Sequence, residues 1–292
     1  NKKSLEFYEV KLNFEYNELN KNILIKDLNF SNNENETISL SGKISNVNTF
    51  YPSFSINAIF DNTSLNNLIN YWPSDYMSVE RKKIVNDLSG GKFLSLELNV
   101  SGETNQKYDD YNISNLEAYG NFSNIRISTS KLQYKKFVGT LDGNFSVDYL
   151  KDKQSLNVQG EVKLKDGYTI VNHSKKKIMI PSAKLVFNSY NSSLNISNLN
   201  VDFAEYGNLA ILSNSELNQD KSVIDFKVNS DQLDVELLKL IWPELYLQKT
   251  KKWITKHFKG GIIKNAKINI KSKNKNQIND GFDINGKFKL IN

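Results

Sequence analysis

The sequence predicts a mostly β fold interrupted by two short broken-helix insertions. Three observations predict it. First, apolar residues alternate with polar ones at period two along most of the chain, as in Val10, Leu12, Phe14, Tyr16 and again in Leu94, Leu96, Leu98, Val100. Second, Asn-rich turns such as Ser31-Asn32-Asn33 cut these runs into strand lengths. Third, helical spacing appears at two places, and those places are copies. Ile224–Ile270, slid back by 170 residues without a gap, falls on Phe54–Val100 with ten identities in 47 positions. Asp231 falls on Asp61, Leu238 on Leu68, Tyr246 on Tyr76, Lys252 on Lys82, Ile254 on Ile84 and Asn269 on Asn99. Trp242-Pro243 falls on Trp72-Pro73 and Gly260-Gly261 on Gly90-Gly91. The chain has three Trp and four Pro, and two of each sit in this register, which marks a true internal repeat.

Each copy has the same order of elements. It opens on an alternating strand (Phe54, Ile56, Ala58; Ile224, Phe226, Val228). Asp61 or Asp231 is then expected to cap a first helix, on which Leu233, Leu237, Leu240 and Ile241 repeat at helical spacing in the second copy. Pro73 or Pro243 ends or kinks that helix at the Trp before it. A second short helix follows, with Met77, Ile84, Val85 and Leu88 apolar in one copy and Leu247, Ile254 and Phe258 in the other. The Gly pair is expected to end it in the left-handed conformation. A new strand follows at once: Leu94 to Val100, matched by Lys264, Ala266, Ile268 and Ile270.

Elsewhere the reading is strands. They fall at Val10–Tyr16, Ile23–Ile25, Ile38–Leu40, Ile125–Ile127, Phe145–Tyr149, Leu156–Leu164, Leu185–Phe187, Leu194–Phe203 and Val223–Val228, with Gly120, Gly143, Gly160 and Gly207 at turns or bulges. No linker is evident. The period suggests two modules in one continuous sheet, 1–102 with its helix pair near 61–91 and 103–292 with its helix pair near 231–261. A strand still in progress at Phe288–Ile291 suggests a fragment of a longer chain.

Composition narrows the function classes. Hydrophobic residues are 39% of the 292, and Asn, Ser and Lys take their place. There is no Cys, so disulfide and thiolate chemistry are excluded. No apolar run is long enough to span a bilayer. The net charge of +6 is spread along the chain, with denser spots at Lys175-Lys176-Lys177 beside His173 and in the helix with Lys249, Lys251, Lys252, Lys256 and Lys259. That helix also has Trp253 and Phe258. It suits either an anionic membrane or nucleic acid surface, or a plain helix with aromatics packed inward and lysines in water. The second is preferred, and no nucleic-acid partner is expected.

Nothing points to catalysis, a metal or a cofactor. The two His residues, His173 and His257, lie far apart, and His257 takes the place of Asp87 in the other copy at a helix end. Asp109 and Asp110 are adjacent and flank a turn, and adjacent strand residues point to opposite faces. No phosphate-binding Gly loop, nucleophile elbow or zinc spacing occurs.

The alternating strands carry the functional argument. A sheet with one apolar face must cover it. Two short helix pairs cannot cover about a dozen strands. The residue pattern therefore leaves a filled sandwich, a closed barrel or a sheet curled round an apolar ligand, and by itself leans to the sandwich. A dozen strands at about 4.8 Å would make a trough on the order of 55 Å long. Such a floor suits acyl chains, since burying each CH₂ is worth about 0.8 kcal/mol.

The combination of Trp242-Pro243, the basic helix with Lys252-Trp253-Ile254, Gly260-Gly261 and an alternating strand resembles the AsmA-like superfamily, and most of all its large YhdP-type periplasmic members in Gram-negative bacteria. The first copy matches at Trp72, Pro73, Gly90 and Gly91 and departs at Lys83, where the pattern has Trp. The resemblance implies a long curled antiparallel sheet with an apolar groove. It implies a middle section of a bridge-like carrier that guides phospholipid between inner and outer membrane. The full-length protein would sit in the periplasm, anchored in the inner membrane through parts of the chain outside this sequence. Groove candidates are Leu96, Leu98, Val100, Phe145, Val147, Phe226, Val228, Ile268 and Ile270. The alternative is a structural or adhesive β-repeat protein with a filled core.

Overall fold

A computed structural model describes residues 8–32, 35–71, 78–105, 107, 111–132, 135–171, 176–191, 193–217, 222–223, 225–241, 248–272 and 282–291. The chain runs through β1 (Glu9–Asn17), β2 (Asn22–Ser31), β3 (Thr37–Ser45) and β4 (Ser53–Ser64) into helices α1 (Leu65–Tyr71) and α2 (Ser78–Asp87). It continues through β5 (Leu88–Ser89), β6 (Lys92–Thr104), β7 (Tyr111–Leu132), β8 (Lys135–Leu150), β9 (Ser155–Val171), β10 (Lys177–Tyr190) and β11 (Ser193–Asp202). After a 3-10 turn at Ala204–Tyr206 come β12 (Asn208–Leu217), β13 (Ser222–Val223) and β14 (Asp225–Asp234). Helices α3 (Val235–Ile241) and α4 (Gln248–His257) lead to β15 (Ile262–Ser272) and β16 (Phe282–Ile291).

The strands join in the order β1-β2-β3-β4-β6-β7-β8-β9-β10-β11-β12-β14-β15-β16, with β13 on β12 and β5 on β7. This near-sequential order follows from short connections, which allow only antiparallel neighbours. The sheet is open, because β1 and β16 end it without pairing to each other, and no second sheet faces it among the described residues. The mostly β class with two helical insertions and one long antiparallel sheet is therefore what the chain forms. The sandwich favoured by pattern alone is not. Packing divides the chain into two compact units, residues 1–127 with 141–160, and residues 128–140 with 161–292.

The internal repeat is structural and larger than the sequence match. Helices α1 and α3, and α2 and α4, have bounds that differ by 170 residues at both ends. Ser64 pairs with Lys92 and Asp234 with Ile262, so the two hairpins share one register. The correspondence extends to the flanking strands with drifting offsets. Leu28 opposite Leu40 recurs as Leu199 opposite Ile211, and Leu98 opposite Ala118 recurs as Ile268 opposite Gly286. The β-bulges recur too: that between Asn13 and Phe14 returns between Val186 and Phe187, and that between Ile25 and Leu28 returns between Ile196 and Leu199. Strands β1, β2, β3, β4, β6 and β7 thus correspond to β10, β11, β12, β14, β15 and β16.

Several local expectations are corrected. Asp61 and Asp231 are not helix caps. Asp61 lies in β4 opposite Ser95, and Asp231 lies in β14, where its N–H donates to Asn208 Oδ1 at 3.1 Å. The strands run three residues further, and the caps are Ser64 Oγ, which accepts from the Asn67 N–H at 3.2 Å, and Asp234 Oδ1, which accepts from Glu236 and Leu237 at 2.7 and 3.1 Å. Leu233 is accordingly a strand residue, as is Leu88 in β5. The Gly pairs lie beyond the helix ends, where the Gly91 and Gly261 carbonyls accept from the N–H groups of Leu65 and Val235. They hold the helix start to the strand start and are not helix terminators. Gly120, Gly143 and Gly160 lie inside β7, β8 and β9. At Gly120 a Cβ would lie 2.5 Å from the Phe145 ring, which would have to shift to admit it. Strand β12 was not anticipated, because Asn and Ser interrupt its apolar alternation.

Candidate functional site

Residues directly opposite in neighbouring strands share a face. In the first unit the register builds four rows across β1, β2, β3, β4, β6 and β7. They are Val10–Phe30–Ile38–Phe60–Leu96–Gly120, Leu12–Leu28–Leu40–Ala58–Leu98–Ala118, Phe14–Ile25–Gly42–Ile56–Val100–Leu116 and Tyr16–Ile23–Ile44–Phe54–Gly102–Ile113. Apart from the Tyr16 hydroxyl, no side chain in these rows is polar. The opposite face reads Ser41–Asn57–Asn99–Glu117, with Asn57 Nδ2 donating to Asn99 Oδ1 at 2.6 Å.

Burial along these rows is graded. The dry part lies at the strand ends that carry the helices. Thr63 (0% exposed), Leu65, Leu96 and Ile125 are buried in the first unit. Ile178, Phe203, Leu233, Val235, Leu237 and Ile263 are buried in the second. One turn along the strands the cover ends. Leu98 and Val100, like Phe226, Val228, Ile268 and Ile270, are half-buried. A filled sandwich would bury them as fully as Leu96. The helix pairs therefore bury one end of the apolar face, and further along it the large apolar side chains are half-buried or exposed.

The expected groove residues fall as follows. Leu96, Leu98 and Val100 occupy adjacent rows in β6. Of these Leu96 belongs to the dry end, while Leu94 is at a bulge and half exposed (50%). Phe226 faces Ile270 and Val228 faces Ile268, so these four form one block in the second unit. Phe145 lies in β8 within an aromatic cluster, 6.4 Å from Phe93 and 6.5 Å from Phe122. Val147, two residues on, is half-buried. Of the motif residues, Gly90, Gly91, Gly260 and Gly261 have the places given above, and Lys252, Trp253 and Ile254 lie in α4. Trp72, Pro73, Trp242 and Pro243 lie outside the described residues, as do Met77, Leu247, His173, Lys175, Asp109 and Asp110.

Two features escaped the sequence reading. Glu36 is buried (3% exposed) and joins three elements. Its carboxylate accepts from the Ser64 N–H at 2.7 Å, from Asn67 Nδ2 at 2.8 Å and from Asn32 Nδ2 at 2.7 Å. It thereby fixes the loop before β3 to the start of α1. The Asn-rich loop has two Glu residues, 34 and 36, and nothing in the sequence singles out Glu36 for this. The second feature is the row pattern of β1 to β3, which becomes visible only once register is known.

The second unit builds the same face with interruptions. Leu185–Leu199–Ile211–Val228–Ile268–Gly286 is apolar throughout, but Phe187–Ile196–Ser213–Phe226–Ile270–Ile284 is broken by a buried serine. Ser230, at the place of Phe60, donates to the Asn208 carbonyl at 2.6 Å. Among the described residues no cluster of His, Cys, Asp and Glu has metal-binding geometry. No helix there is long and apolar enough to cross a membrane. The outer-face Glu161 carboxyl is held below the usual carboxylate range by hydrogen bonds from Lys184 and then Lys163. Comparison with protein-family models, with curated proteins and with solved structures found no match.

Proposed function

We propose that this chain is a section of a bridge-like lipid carrier, on whose apolar face phospholipid acyl chains lie and move. One observation carries the reading: the four uninterrupted rows of the first unit, whose large side chains are half-buried or exposed beyond the helix-braced end. A contiguous apolar face of this size on one side of an open sheet needs an apolar partner. Acyl chains fit it, because the rows run across the strands and offer the same chemistry at each step. Each CH₂ gains about 0.8 kcal/mol wherever it lies, so translation along a row meets no steep barrier. The polar face, with its Asn, Ser and Glu ladder, stays in water. The process is passive guidance and makes or breaks no covalent bond. The Trp-Pro and Gly-Gly motif supports placing it in the periplasm, within a longer protein anchored in the inner membrane, passing phospholipid toward the outer membrane.

A photo-crosslinking residue tests the assignment of faces. Placed at Ile56 it is expected to capture phospholipid, and placed at the adjacent Asn57 it is not. Equal capture at both, or at neither, contradicts the proposal. Val228→Asp is expected to keep the fold, since the side chain is half-buried, and to abolish lipid retention in the second unit.

A further inference from the structure

Helices α2 and α4 occupy the same place in two copies of one scaffold, yet their surfaces have diverged. Over Ser78–Asp87, Arg81, Lys82 and Lys83 are accompanied by Glu80 and Asp87. Over Gln248–His257, Lys249, Lys251, Lys252 and Lys256 have no carboxylate among them, and Lys259 follows. The scaffold does not demand this composition, because α2 builds the same helix without it. Trp253, where the first copy has Lys83, is 52% exposed. The expectation that the aromatics of this helix pack inward is met by the half-buried Phe258 and not by Trp253.

The exposed indole is held in place. It stacks on the His257 ring at 5.0 Å and meets Phe258 edge-on at 5.4 Å, and Phe258 in turn meets Phe288 at 6.2 Å. Lys252 and Lys256 lie beside it on the solvent side of the helix, and Ile254 and Phe258 lie on the more buried side. Among the described residues Lys252, Lys256 and Lys259 form no ion pair. An indole fixed in water and flanked by exposed lysines matches the headgroup layer of a bilayer, where an aromatic ring enters the interface and ammonium groups meet phosphates.

We propose that α4 docks on the surface of an anionic phospholipid bilayer, with Trp253 in the interface and Lys252, Lys256 and Lys259 on lipid phosphates. Nucleic acid fits less well. The cations of α4 are all lysines, so the helix has no guanidinium fork for phosphate or base edges. This docking does not rest on the carrier reading, since it uses headgroups and not the apolar face.

The test uses the whole chain with phosphatidylcholine vesicles, with and without phosphatidylglycerol. Binding is expected to need the anionic lipid and to weaken with salt, and a blue shift in Trp emission is expected to disappear in Trp253→Phe. Neutralising Lys252, Lys256 and Lys259 together to Gln is expected to lower vesicle affinity about 100-fold, with an unchanged circular dichroism spectrum. Lys82→Gln with Lys83→Gln on α2 is expected to leave binding as it was. Equal binding to neutral vesicles, or full binding by the triple variant, overturns the proposal. So does a DNA oligonucleotide that binds more tightly than the anionic vesicles and depends on the same three lysines.

Discussion

The two repeats share helix bounds, hairpin register and the bulges of their first two strand pairs, and they differ in what they display. The first has unbroken apolar rows and a helix α2 of mixed charge. The second has rows broken by Ser213 and Ser230 and a helix α4 with lysines and an exposed Trp. Backbone pairing is thus fixed by features common to both, namely the hairpin closed at Ser64–Lys92 or Asp234–Ile262 and the carbonyl of Gly91 or Gly261 at the helix start. The exposed chemistry is free to change on top of it. In both repeats the helix-braced end is dry, and further along the apolar face the large side chains are no more than half-buried.

That contrast between dry and half-buried ends is the first to break. Leu237→Ala in the dry end is expected to cost about 3 kcal/mol. The half-buried Ile268→Ala, further along the face, should cost about 1 kcal/mol. Urea unfolding of both variants measures the gap, and equal losses would mean that the whole face is packed. The repeats also differ in how the start of the first helix is secured. Glu36→Ala strands three donors in the first repeat, and a loss of about 2–3 kcal/mol is expected by the same measurement.

The Gly pairs sharpen the comparison at lower cost. Gly91 has φ of +68° and a Cβ there would lie 2.5 Å from the Asn124 backbone, whereas a Cβ on Gly260 meets nothing within 4 Å. Gly91→Ala should therefore lower stability by about 2 kcal/mol, and Gly260→Ala should change it by less than about 0.5 kcal/mol. The smallest effect lies on the polar face. Glu161, with its folded pKa lowered by Lys184 and Lys163, stabilises the fold above its unfolded pKa and loses that contribution as pH falls through the folded value. Carboxyl NMR should find the Glu161 titration below the ordinary Glu range and moved upward in Lys184→Gln.

Much of this architecture was legible in the sequence. The ungapped match of Phe54–Val100 to Ile224–Ile270 located both helix pairs, because Trp, Pro and Gly are rare here and the hairpin has no insertions. The flanking strands kept their pairing but not their spacing. Phe14 and Phe187 are equivalent at 173 residues, and Ala118 and Gly286 at 168, so a single offset misses them. The caps were misplaced by three residues because Asp61 and Asp231 look like caps when the strand is taken to end there. Pairing with the next strand continues to Ser64 and Asp234, and it outweighs the local signal. The aromatics of α4 were expected to face inward from spacing alone, and tertiary packing takes Phe258 and leaves Trp253 outside.

The apolar rows identify a face, and its occupant decides the function. Native mass spectrometry of the purified chain, followed by lipid extraction, tests this most directly. The account predicts phospholipid bound in definite stoichiometry, lost on Leu98→Asp in the first unit with the fold retained. A folded chain that stays free of lipid when phospholipid is offered would contradict it.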